Sequence, residues 1–168
     1  PHLEFCSPVW NRESKCFAFS IEKVQKLATR YIRSLKGLKY PERLKVLNLP
    51  TLRYRRVRED IICLYKICNT DFLKTSIVKL KPDVGTRGHA LALAKGLLHS
   101  KLARQFLTNR IFEIWNGFPV NFSSINNLNS LKNFIEKYFE NSDFKFDYLS
   151  DLPAAGVAGV ASALPGVE

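Results

Sequence analysis

Methionine is absent from the whole sequence of 168 residues, including position 1. A primary translation product begins with methionine, so we expect this chain to be a fragment or a processed piece of a longer protein. No apolar run is long enough to cross a bilayer, and no segment has the pattern of a signal peptide. The sequence therefore predicts no association with a membrane.

Cysteine and histidine are scarce, with four and three copies respectively, and their spacing matches neither a disulfide framework nor a metal site. Cys63 and Cys68 lie five positions apart on a predicted helix, which points them about 140° away from each other. The motifs GxSxG and HExxH are missing. A two-metal polymerase site needs clustered carboxylates to hold Mg²⁺. Acids are dense only from Glu136 to Asp151, a stretch whose charge environment does not suit such a site and which lies next to the predicted flexible tail. We predict no catalytic residue, no metal ligand and no cofactor in this chain.

Positive charge is what the sequence has in excess, with 26 lysines and arginines against 15 acids and a formal net charge of +11. The excess is uneven, because residues 12–66 contain 15 basic and 5 acidic residues, whereas residues 111–168 contain 3 and 7. A balance of this size indicates an anionic partner such as nucleic acid. The first two thirds of the chain are the place to look for its binding site.

Periodicity and breakers predict an all-α fold, an irregular domain of about five helices with a flexible C-terminal tail. Gly37 is expected to end the first helix, Pro41 to open the second and Thr51 to cap the third. The tail is the small-residue stretch of the last fifteen positions. The predicted helices cover about Ser20–Lys36, Pro41–Leu47, Leu52–Asn69, Lys101–Trp115 and Asn127–Glu140.

Apolar stripes predict which helix faces are buried. The third helix has such a stripe at Val57, Ile61, Leu64 and Cys68. The first helix has another at Ile21, Val24, Ala28, Tyr31 and Leu35. Trp115, at the end of the fourth helix, is predicted to belong to the core rather than to stack on a nucleotide base.

Two groups of basic residues are candidate binding residues. Lys23, Lys26, Arg30 and Arg33 form a stripe about 15 Å long on the first helix. Arg53, Arg55, Arg56 and Arg58 crowd the first two turns of the third helix, where the helix dipole favours acids instead. Two interpretations stay open for these arginines: a solvated face with pairs to Glu59 and Asp60, or contact with phosphate.

Six segments, taken in order, resemble one protein family. They are PHLEFCSPVW at 1–10, IEKVQKLATRYI at 21–32, YPERLKVLNLPTLRYRRVREDIICLYKI at 40–67, TRGHALAL at 86–93, FLTNRIFEIWNGFP at 106–119 and SINNLNSLKNFIEKYF at 124–139. Together they resemble the C-terminal part of reverse transcriptases from non-LTR (LINE-type, jockey-like) retrotransposons. The resemblance covers residues 1–140, whereas residues 141–168 do not match the family.

The resemblance implies that residues 1–140 correspond to the thumb and the segment beyond the polymerase palm. The parent protein would be a Mg²⁺-dependent, RNA-directed DNA polymerase with an endonuclease, acting in the nucleus after cytoplasmic assembly. Its thumb is expected to contact the palm and to bind RNA, DNA or an RNA–DNA hybrid through the two basic groups and Arg87. The family's catalytic aspartates, in a Tyr/Phe-Ala-Asp-Asp turn, have no counterpart in this sequence.

Two alternatives remain open. In the first alternative to the polymerase thumb, the chain is a remnant recruited by the host as a helical protein-interaction module. In the second, it is an inert remnant that lacks the palm and folds only partly. A large exposed apolar patch would favour the interaction module, and a low helix content would favour the inert remnant.

Overall fold

A computed structural model describes residues 2–12, 14–70, 78–81, 89, 91–96, 100–119 and 125–152. Within these residues the chain is helical and contains no β-strand, which confirms the predicted all-α fold. Single 3₁₀ turns cover Arg33–Leu35, Ala103–Gln105 and Asp143–Lys145. The α-helices are α1 (Ser7–Trp10), α2 (Lys15–Arg30), α3 (Tyr40–Val46), α4 (Leu52–Cys68), α5 (Leu107–Arg110), α6 (Phe112–Asn116) and α7 (Leu128–Glu140). The predicted tail lies outside the described residues.

Helix α4 is the centre of the fold and packs against α1, α2, α5 and α7. Thr51 begins the helix as predicted, because its hydroxyl accepts a hydrogen bond of 3.1 Å from the amide of Tyr54. The predicted apolar stripe at Val57, Ile61, Leu64 and Cys68 is buried along its whole length. The sequence pattern therefore identified both the start and the buried face of the central helix.

Large aromatic side chains fill the core beside α4. Trp115, Phe139 and Phe144 have no exposed surface, which confirms the prediction that Trp115 is a core residue. The rings of Phe139 and Phe144 lie 5.7 Å apart, and the amide of Thr51 donates a 3.0 Å hydrogen bond to the carbonyl of Lys145. The packed core therefore continues into the acidic, aromatic segment that follows α7.

The predicted buried face of α2 is wrong. Val24 is 53% exposed and Tyr31 is 79% exposed, whereas the buried positions of α2 are Ala18 and three polar residues, Glu22, Gln25 and Thr29.

The reason for this orientation lies at the N-terminus of α4, which has no acid in its own first turn. The carboxylate of Glu22 accepts hydrogen bonds of 3.1 and 3.2 Å from the amide of Leu52, and the amide group of Gln25 donates to the carbonyl of Pro50. A helix N-terminus leaves unpaired amides and favours negative charge. Helix α2 therefore turns a polar face inward to satisfy these groups.

Helix α2 also begins and ends earlier than predicted. Ser14, not Ser20, is its N-cap and accepts a hydrogen bond from the amide of Phe17. The helix ends at Arg30, and Gly37 instead occupies a turn with a positive φ of 92°. Leu35 would lie one turn above the exposed Tyr31 if α2 continued, but the break after Arg30 lets it become buried.

The predicted helix from Lys101 to Trp115 is interrupted by extended backbone at Phe106. Side chains of the following helix bind carbonyls on the N-terminal side of the interruption. Asn109 donates to the carbonyl of Ala103 at 2.6 Å, and Arg110 donates to the carbonyl of Gln105 at 2.7 Å. The result is a 3₁₀ turn followed by the short helices α5 and α6 in place of one long helix.

Candidate functional site

Arg56, in the middle of the α4 arginine group, is a buried residue with 2% of its surface exposed. Its Nε donates a 3.1 Å hydrogen bond to Oδ1 of Asn11, and its guanidinium lies 5.9 Å from the ring centre of Phe17. Burial lowers the pKa of Arg56 below its usual value. Arg56 therefore does not belong to the outer surface of the protein.

The other three arginines of the group bind groups elsewhere in the chain. Arg53 donates to the carbonyls of Tyr148 and Ser150 at 2.9 and 2.6 Å. Arg55 forms an ion pair of 2.6 Å with Glu4, and Arg58 forms one of 3.0 Å with Glu136. These arginines connect α4 to the N-terminal segment, to α7 and to the segment after α7, so they have a structural role.

The first basic group has a different environment. Lys23, Lys26 and Arg30 are exposed, and the structure shows no ion pair between any of them and the described residues. All three line one side of a groove of about 540 Å³ that α2 forms with the turn Arg33–Leu35 and α3. Arg33 is also exposed but does not line the groove.

The groove contains two further cations and an apolar floor. Lys36 is exposed at its edge, and Arg43 lies in its wall with 7% of its surface exposed. Phe19, Leu27 and Leu38 form part of the floor. Five cationic side chains and these three apolar side chains therefore line one concave surface.

Arg43 is the cation that is most deeply placed in the groove. Its guanidinium lies 5.6 Å from the ring centre of Tyr40, and its Nε has no hydrogen-bond partner among the described residues. The buried carboxylate next to it, that of Glu22, is already satisfied by the hydroxyl of Tyr40 at 2.6 Å and by the amide of Leu52. Burial raises the pKa of Glu22, although the hydrogen bond from Tyr40 opposes the shift. Arg43 thus adds a positive charge to the wall of the groove without an acidic partner among the described residues.

Sequence patterns found only part of this surface. Lys23, Lys26 and Arg30 were candidates, and the structure brings them together, whereas Lys36 and Arg43 were missed because they belong to a turn and to a different helix. A mixed stripe of Phe19, Lys23, Lys26, Leu27 and Arg30 at helical spacing was the available signal. Arg87 lies outside the described residues.

No group of three or more His, Cys, Asp or Glu side chains in the described part of the chain is arranged to hold a metal ion. Those residues do not fit the Mg²⁺ that the family resemblance implies for a parent polymerase. Across the same residues, no helix is both long and apolar enough to cross a membrane.

Comparison with known proteins adds no relative. No protein-family model, no curated protein and no solved structure matches this chain at a significant level. The groove between α2 and α3 and the residues that line it are therefore what indicates a function for this chain.

Proposed function

We propose that this domain binds the sugar-phosphate backbone of a nucleic acid, as the thumb and C-terminal segment of an RNA-directed DNA polymerase from a non-LTR retrotransposon would bind its template–primer duplex. One observation carries the proposal. Five cations, Lys23, Lys26, Arg30, Lys36 and Arg43, line a single groove, and none of them has an acidic partner within the described residues.

The spacing of the α2 cations suits a backbone ligand. Lys23, Lys26 and Arg30 lie on successive turns of one helix face, which extends over about 10 Å at a rise of 1.5 Å per residue. Lysine and arginine bind phosphate oxygens without reading base sequence. Such a surface holds a duplex of any sequence, which is the task expected of a polymerase thumb.

The test is binding of the full chain to an RNA–DNA hybrid over a series of salt concentrations. The logarithm of the binding constant is expected to fall linearly with the logarithm of salt, with a slope of about −0.9 for each phosphate contact on a duplex. Removing three cations by Lys23→Gln, Lys26→Gln and Arg30→Gln should make the slope shallower by about 3.

A matched control removes the same charge elsewhere. Lys66, Lys101 and Lys137 are exposed and lie outside the groove, so their triple change to Gln should leave the slope close to that of the natural chain. Equal slopes for the two triple variants would refute the groove as the binding surface. A folded chain that shows no binding at low salt would refute the function itself.

The apolar floor of the groove favours a second candidate function, docking of an acidic amphipathic segment from a partner protein. Leu27 is 52% exposed and Leu38 is 40% exposed, and burying such side chains stabilises a complex. Binding of this kind depends on apolar contact as well as on charge, so it should fall less steeply with salt than backbone binding does and should be lost on Leu27→Ser. Binding to a nucleic-acid backbone depends steeply on salt and tolerates that change.

A further inference from the structure

A second cavity lies where the N-terminal segment, the start of α2, α4 and the end of α5 meet. Its volume is about 210 Å³. Among the described residues, five cationic side chains contribute to its lining, those of Arg12, Lys15, Arg53, Arg56 and Arg110, against two carboxylates, those of Asp60 and Asp151. A small cavity with this excess of positive charge attracts an anion.

Arg56 is the key residue of this cavity. Although Arg56 is almost fully buried, its Nη1 has no hydrogen-bond partner among the described residues. Buried donors in native proteins nearly always have a partner, and leaving one without a partner is more costly for a charged group than for a neutral one. The guanidinium therefore requires an acceptor that the described part of the chain does not supply.

The carboxylates nearest to Arg56 do not supply it, because other groups already occupy them. Asp60 binds Arg110 through two hydrogen bonds of 2.6 and 2.8 Å and accepts a third, of 2.9 Å, from Asn11. The carboxylate of Glu22 binds Tyr40 and the amide of Leu52. Neither acid forms a hydrogen bond with Arg56, although the charge of each opposes the lowering of its pKa by burial, so Nη1 of this cavity-lining side chain lacks an acceptor among the described residues.

The N-terminus of α2 adds to the positive potential. Its N-cap, Ser14, lines the cavity, and the first turn of this 16-residue helix contains no acid. Aligned peptide dipoles give a helix N-terminus a partial positive charge that favours phosphate. Arg12 and Lys15 are exposed and lie on either side of the pair Glu13 and Ser14 in the sequence. Within the described part of the chain, Lys15 forms an ion pair of 3.9 Å with Asp151, and both side chains are mostly exposed, so this pair is weak.

We propose that this cavity binds a tetrahedral oxyanion of the phosphate class, with Arg56 as its buried anchor and with Arg12, Lys15 and the N-terminus of α2 around its entrance. Free phosphate and the terminal phosphate of a nucleotide or an oligonucleotide share this chemistry. The inference does not depend on the function proposed for the groove, because the two surfaces have no cation in common.

The experiment measures how inorganic phosphate changes the thermal unfolding midpoint of the full chain, with sodium chloride at equal ionic strength as the reference. A ligand that binds only the folded state raises the midpoint as its concentration increases. The double variant Arg12→Gln/Lys15→Gln changes only exposed residues, and it should bind phosphate at least about tenfold more weakly, since it loses charge-assisted hydrogen bonds. Arg56→Met should abolish the response if the variant folds.

The matched control is Lys66→Gln/Lys137→Gln, which removes the same charge at exposed positions outside the cavity and should keep the response of the natural chain. A response to phosphate that is no larger than that to chloride would overturn the proposal. So would an equal loss of response in the control and in the Arg12/Lys15 variant. The groove variant Lys23→Gln/Lys26→Gln/Arg30→Gln should retain the phosphate response, which separates this result from a failure of nucleic-acid binding.

A second arm identifies the source of the phosphate. An oligonucleotide with a 5′-phosphate is compared with the same oligonucleotide carrying a 5′-hydroxyl, each in competition with inorganic phosphate. Preferential displacement by the phosphorylated oligonucleotide identifies a terminal phosphate as the ligand. Equal behaviour of the two oligonucleotides, together with a response to inorganic phosphate, identifies the free anion.

Discussion

The ion pair between Asp60 and Arg110 is expected to be the most sensitive polar contact of the domain. The two side chains are 1% and 3% exposed, and they form hydrogen bonds of 2.6 and 2.8 Å to each other. Arg110 also donates to the carbonyls of Pro8, Asn11 and Gln105, at distances between 2.7 and 3.2 Å. One guanidinium thus connects α4 and α5 to the segment that surrounds α1.

The change Asp60→Asn preserves the volume of the side chain and removes its charge, so no cavity complicates the result. The guanidinium of Arg110 then remains buried without a counter-ion, which typically costs about 3–5 kcal/mol. Domains are stable by only about 5–15 kcal/mol, so the variant should lose a large part of its folding free energy. Urea unfolding followed by circular dichroism measures this loss directly.

The control is the exposed pair between Arg58 and Glu136, in which the side chain of Glu136 is 56% exposed. Glu136→Gln should change the free energy of unfolding by no more than about 1 kcal/mol. A double variant, Asp60→Leu/Arg110→Leu, removes both charges and should recover much of the lost stability. If Asp60→Asn costs less than Glu136→Gln, the reasoning about the buried pair is refuted.

Three further predictions concern single side chains. Phe144→Ala should lower the free energy of unfolding, measured with urea, by about 3–5 kcal/mol, because the ring is fully buried in the core. A decrease below about 1 kcal/mol would show that the segment after α7 does not stabilise the domain. Burial lowers the pKa of His89 below 6.5, so as the pH falls below that value the unfolded chain takes up the proton first and the free energy of unfolding should decrease. In His89→Gln, the difference in melting temperature between pH 7.5 and pH 5.5 should be smaller than in the natural chain. Burial raises the pKa of Glu22 above 4.5, so the folded chain binds the proton more tightly, and the free energy of unfolding should decrease as the pH rises from 4.5 to the pKa of Glu22 in the folded chain. Glu22→Gln should flatten the dependence of stability on pH in this range. An unchanged dependence would contradict the raised pKa.

Local patterns in the sequence were sufficient to predict the helical class, the N-cap at Thr51, the buried stripe of α4 and the core position of Trp115. They were also sufficient for α7, where Asn127 caps the helix and accepts a hydrogen bond from the amide of Ser130. Each of these features depends on residues within one or two helical turns. Helical periodicity and capping act over that distance, so a single sequence contains the necessary information.

The basic residues show where such local reasoning ends. Lys23, Lys26 and Arg30 were recognised as one stripe, and they do line one groove. The arginines of α4 had the same appearance in the sequence, yet Arg56 is buried and Arg55 binds Glu4, which is 51 positions away. Nothing in the spacing of α4 indicates which of its cations will meet an internal partner.

The sequence by itself determined that this chain folds into helices, that α4 buries an apolar stripe and that positive charge gathers in the first two thirds. Only the tertiary structure decided which face α2 buries, where the helix predicted at 101–115 breaks and which cations remain free to bind an anion. The physical reason is the same in each case. Glu22 reaches Leu52 across 30 positions and Asp60 reaches Arg110 across 50, and satisfying such buried polar groups outweighs the local preference of a helix for its apolar face.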